Sequence, residues 1–150
     1  MKIILVVLFC LFPIHVFSNI ADGAKIVLSE KDRLALGDSQ IEIIVEKDLP
    51  GPFRAEAKVA GTIAVSSVYY FKVKKKAFDF DGVIKITIPY DKKISGNILP
   101  PLVLVWDDEI KGYRPVSTIK VDRDHALVTF ITSTLNRKFV AVVVKDLVGN

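Results

Sequence analysis

Residues 77–91, AFDFDGVIKITIPYD, constrain the fold more tightly than any other stretch of the chain. Asp79, Asp81 and Gly82 are turn formers, because Asp bonds its own backbone and Gly tolerates tight geometry. Beyond them Ile84, Ile86 and Ile88 alternate with Lys85 and Thr87. That period of two belongs to a strand with one buried face and one wet face. Pro89 has no amide hydrogen to give a ladder and so ends the strand. The acidic residues at the head therefore read as the turn that sets the register, with Ile84, Ile86 and Ile88 as central core.

The same rhythm runs through the rest of the chain. Val, Ile, Thr, Tyr and Phe fall in short alternating runs, and Gly, Pro, Asp and Asn interrupt them at intervals of about ten residues. Strands are expected at Lys25–Leu28, Gln40–Glu46, Val68–Val73, Leu102–Trp106, Tyr113–Ser117, Thr118–Asp122, Ala126–Thr132 and Phe139–Val144. Ser29 as N-cap and Gly37 as stop allow one or two turns of helix between them. Leu49-Pro50-Gly51-Pro52 is a break, and Phe53–Ala60 suits either a short helix or an edge strand. Leu102–Trp106 is apolar on both faces and is expected to be central. No long segment has a helical period. The fold class predicted is all-β: one antiparallel β-sandwich of roughly nine short strands.

The first residues bear on compartment. Lys2 precedes an apolar run from Ile3 to Phe12, shorter than the roughly 20 residues that span a bilayer. Pro13 breaks it, and Val16 and Ser18 stand where a leader peptidase wants small or aliphatic residues. Residues 1–18 read as a secretory signal peptide cut before Asn19, with an uncleaved anchor as the alternative. Lipidation at Cys10 is the weaker option, because bulky Phe9 precedes it. Cleavage removes the chain's one Cys and one Met and one of its two His residues. The remainder, residues 19–150, has no thiol chemistry and no disulfide, so its core alone must hold it. It is the size of one domain. After cleavage its basic excess is slight and scattered, which fits a secreted protein, extracellular or periplasmic, better than a nucleic-acid binder. No transmembrane segment is expected after leader removal.

Three landmarks, VYYFKVKKKAFDFDGVIKITIPYD, LVLVWDDEIKGYRPVSTIKVD and ALVTFITSTLNRKFVAVV, follow one another in order. In this order they resemble the ZU domain family, the antiparallel β-sandwich of zonula occludens proteins, netrin receptors and ankyrins, in the version carried by bacterial surface and secreted proteins. The resemblance covers about Ile26 to Val144 and is sharpest after Val68. It implies a structural or protein-interaction role. Two departures stand out. Gly82 occupies a position where the family has Pro, a change expected to affect only the start of the strand. Thr134-Leu135-Asn136 replaces the His-Phe-Ser of self-cleaving relatives. An N→O acyl shift needs a hydroxyl or thiol after the scissile bond, and Asn136 has neither, so no autoproteolysis is expected.

Candidate sites are few. His125, the one histidine of the mature chain, lies in a turn beside Asp124 and reads as a solvent-facing residue rather than a general base. With one His and no Cys, a zinc site is not expected, and no Gly-rich phosphate loop is present. The acidic runs Asp79–Asp81 and Asp107–Glu109 lack the spacing of an EF-hand and read as turns, with calcium as the alternative. Catalytic, cofactor and metal residues are therefore expected to be absent. One interaction surface is expected, from Tyr70 with Lys72, Lys74, Lys75 and Lys76. Tyr70 alternates away from Tyr69 and Phe71, and three of the lysines share a face. Such a run more often keeps an edge soluble than binds a partner. Trp106 is expected in the core or as a strand-end plug. The function expected is a non-enzymatic, exported module that binds a protein partner. The alternative is a glycan- or anionic-surface-binding module using the exposed Tyr and the lysine run.

Overall fold

The computed structural model describes residues 23–37, 41–46, 62–75, 78–95 and 100–144. They form two antiparallel sheets packed face to face, an all-β sandwich. The strands are β1 (Lys25–Val27), β2 (Ile41–Glu46), β3 (Thr62–Ala64), β4 (Val68–Val73), β5 (Ile84–Pro89), β6 (Leu102–Asp107), β7 (Gly112–Val116), β8 (Thr118–Asp122), β9 (Leu127–Thr132) and β10 (Lys138–Val144). Two short helices, α1 (Glu30–Leu36) and α2 (Lys92–Ser95), complete the described elements. One sheet runs β1-β5-β9-β8; the other runs β2-β4-β10-β6-β7, with β3 also paired to β10.

The segment 77–91 behaves as its alternation requires. Ile84, Ile86 and Ile88 are fully buried, and the strand ends at Pro89. Ile86 lies opposite Ile26 of β1 and Phe130 of β9 in the same inner row. From the facing sheet Phe71 and Phe139 meet edge to face at 5.9 Å between ring centres, and Phe139 lies 5.0 Å from Phe130. These rings join the two sheets across the core, a geometry that aromatic pairs favour beyond simple burial.

α1 forms because Ser29 caps it. The Ser29 hydroxyl accepts the Asp32 N–H at 3.1 Å, and Gly37 ends the helix with φ 61°. The Gly37 N–H returns to the Arg33 carbonyl at 3.2 Å, and glycine supplies that left-handed φ without a steric cost.

The expected strands occur with their ends moved by a residue or so, and β3 is an addition. β6 does lie inside its sheet, between β10 and β7, yet Leu102 at its start is exposed. The strand buried on both faces is β10, whose Phe139–Val143 are all buried. Val140 and Val142 form a second apolar cluster with Val68, on the opposite face from the main core. The leader 1–18, the Pro-rich break, Phe53–Ala60 and Lys76 lie outside the described residues.

Candidate functional site

Among the described residues, those expected to form an interaction surface are divided rather than gathered into one basic patch. Tyr70 is half-buried rather than exposed, flanked in register by Ile44 of β2 and Lys138 of β10. Lys72 lies directly opposite Glu42. Lys138 bonds both oxygens of Glu46, at 2.8 and 3.1 Å. Edge strand β2 thus sets carboxylates among the lysines, and opposite charges across a ladder attract. Lys75 turns away from the run: its Nζ donates to the Ala35 carbonyl at 3.0 Å and sits 5.3 Å over the Phe78 ring. There it satisfies a carbonyl at the C-terminal end of α1. Lys74 is exposed and makes no hydrogen bond or ion pair among the described residues.

Trp106 is not in the core. It is half-buried, packs edge to face on Tyr113 at 5.0 Å, and donates its indole N–H to Asp108 at 2.7 Å.

His125 pairs with Asp122, not with its neighbour Asp124. Its Nδ1 lies 3.0 Å from Asp122 Oδ2, and its backbone N–H reaches Oδ1 at 3.1 Å. The backbone bond, followed by the ring contact, holds the Asp122 carboxyl below its ordinary range. The pair is an exposed turn closure across three residues.

The acidic runs are built into the scaffold. Asp32 is buried, and its carboxylate accepts the Ser29 hydroxyl at 2.7 Å and the N–H groups of Asp81 and Gly82 at 2.8 and 3.0 Å. Burial alone pushes this carboxyl up, but those hydrogen bonds outweigh it and the group titrates below the usual range. Asp81 itself pairs with Lys31. Asp107, also buried, accepts the Glu109 N–H at 2.9 Å and pairs with Arg114. Among the described residues no group of three or more His, Cys, Asp or Glu side chains could hold a metal ion.

A concavity lies where the chain crosses from one sheet to the other. β7 ends at Val116, Ser117 turns the corner, and β8 begins at Thr118 on the other sheet. Ser117 holds the corner by accepting the Ile131 N–H at 3.1 Å. The two sheets part here around a groove of about 670 Å³. Val105, Val116 and Ile131 give it apolar walls, Ser133 and Thr134 supply hydroxyls, and Arg114 and Arg137 supply positive charge. Arg114 is committed to Asp107, whereas Arg137 has no hydrogen-bond or ion-pair partner among the described residues. It does help to depress the Asp107 carboxyl, after the Glu109 and Ile110 backbone N–H groups and Arg114. Sequence reasoning missed this groove, because its arginines stand 23 positions apart (137 − 114) and meet only through the sheet crossing.

Comparison with known protein families, with characterised proteins and with solved structures found no match to this chain.

Proposed function

We infer that the chain is an exported, non-enzymatic β-sandwich that acts as a protein-interaction module, with the corner groove as its docking site. The observation that carries this reading is Arg137. Among the described residues its guanidinium has no hydrogen-bond or ion-pair partner, and it stands beside apolar walls and side-chain hydroxyls. An Arg in a concave, partly apolar site is the kind of group that anchors a partner protein. Asp122 closes a turn with His125, and Asp32 and Asp107 tie backbone. The ZU resemblance points the same way, and export follows from the leader-like residues 1–18.

The test is photo-crosslinking in the producing cells from a benzoylphenylalanine placed at Ser133. A protein partner captured by the parent, and lost when Arg137→Glu is added at unchanged melting temperature, is the expected result. Adducts that ignore the charge reversal would remove the groove from consideration.

A further inference from the structure

A second surface, which meets the groove at Val83 and Ile131, gathers three exposed lysines. The outer face of the sheet β1-β5-β9-β8 is a grid whose rows follow from register. One row reads Lys25, Thr87, Thr129, Lys120; the next reads Val27, Lys85, Ile131. Lys25, Lys85 and Lys120 are all exposed, and none has a hydrogen bond or ion pair among the described residues. The Thr87 and Thr129 hydroxyls lie 2.8 Å apart and leave the centre of the face polar but uncharged. Among the described residues the carboxylate at an outward register position is Asp122, at the far end, where His125 engages it and Lys120 acts on it electrostatically. The contrast with the other sheet is direct, because there Glu42 and Glu46 sit among the lysines.

The same face exposes aliphatic side chains. Val27, between Lys25 and the helix, is 46% exposed. Val83, which by alternation points the same way as Lys85, is 59% exposed.

We propose that this face binds an anionic lipid surface, with Lys25, Lys85 and Lys120 on the phosphates and Val27 and Val83 at the acyl boundary. Charge and its spread decide the occupant. Three strand spacings separate Lys25 from Lys120, about 14 Å, and Lys85 stands in the next row, so the three do not lie along one line. A plane of headgroups needs no groove, and it alone takes up apolar side chains between cations.

The experiment is sedimentation of residues 19–150 with phosphatidylcholine vesicles, with and without phosphatidylglycerol, at low salt. Binding is expected only with the anionic lipid, falling as salt rises. Each lysine near the surface is worth about fivefold in partition. The triple variant Lys25→Gln/Lys85→Gln/Lys120→Gln should therefore lose about a hundredfold. The equally charged control Lys72→Gln/Lys74→Gln/Lys111→Gln should stay near the parent. Val27→Ser should weaken what binding survives at high salt. If the triple variant melts early, Lys85→Gln alone serves. Equal binding to neutral vesicles, equal loss in the control, or no binding to phosphatidylglycerol would overturn the proposal. So would preferential capture of soluble polyglutamate, which would make the partner an acidic polypeptide.

Discussion

The carboxylate of Asp32 holds the backbone of Gly82, 50 residues away, by a hydrogen bond of 3.0 Å to its N–H. With the Asp81 N–H and the Ser29 hydroxyl on the same carboxylate, α1 is tied to the turn that launches β5. The charged form accepts all three bonds, so the folded state depresses the carboxyl below its unfolded value of about 3.9. A depressed folded value adds stability that is complete above the unfolded value and disappears as pH falls through the folded one. Stability should thus fall as the solution is acidified below about pH 4. Asp32→Asn should flatten that limb and cost about 1–3 kcal/mol at neutral pH. Urea unfolding between pH 2 and 7 would check both. An acid limb as steep in Asp32→Asn as in the parent would show that other carboxylates drive it.

Gly82 is required by space as well as by its N–H. A Cβ there would meet Asp32 Oδ2 and Ser29 Cβ, both at 2.9 Å. A proline here would also delete the donor. Gly82→Pro should destabilise by about 3 kcal/mol or more, and Gly82→Ala by less. Thermal melts of both variants test the order, and a neutral Gly82→Pro would mean that the turn moves away from α1 without cost.

Much of the sandwich was legible in the sequence because its signals are local. Ile84, Ile86 and Ile88 announce their face by alternation, and Ser29 and Gly37 announce α1 by capping chemistry. β3 was not legible, since Thr62–Ala64 is three half-buried residues that become a strand only by pairing with β10. Surface charge was less legible still. The consecutive lysines 72, 74 and 75 look like one patch on the page, but Glu42, Ala35 and Phe78 divide them in space. Lys25, Lys85 and Lys120 are scattered in the chain and assemble only through register. Pairing partners between distant strands are what a single sequence leaves unspecified.

The Asn136 side chain works as a backbone substitute. At φ 61°, in the left-handed region that Asn tolerates, its Oδ1 accepts the Val73 N–H at 2.8 Å while its own N–H donates to the Phe71 carbonyl at 2.7 Å. It thereby continues the pairing of β4 beyond the end of its ladder with β10. Intact-mass measurement should show one unbroken chain across Leu135–Asn136. Asn136→Ala should cost about 1–3 kcal/mol, from the lost bond and the left-handed φ together. Asn136→Gly should recover the conformational part. Cleavage products at this bond, or equal losses for Ala and Gly, would contradict the assignment.

Core truncation should separate the inner and outer rows of β5. Ile86 is fully buried between Ile26 and Phe130, so Ile86→Ala should cost about 2–5 kcal/mol. Val83→Ala, at an exposed position, should stay within about 0.5 kcal/mol. Chemical denaturation gives both numbers, and comparable losses would mean that the face bearing Val83 is buried in solution.

Thr118 offers the opposite sign. Its Oγ1 is buried and has no hydrogen-bond partner among the described residues. The chain pays desolvation for that hydroxyl and recovers nothing from it. It stands at the first position of β8, directly after the Ser117 corner, opposite Phe130 and next to the register shift that precedes Lys120. Valine has nearly the same shape, carries no polar atom and favours strands. Thr118→Val should therefore stabilise the domain, by about 1 kcal/mol, with the corner groove unchanged. A rise in denaturation midpoint at constant slope is the expected result. A loss of stability would show that the hydroxyl is bonded in solution, and the corner would then be held by Thr118 as well as by the Ser117 carbonyl.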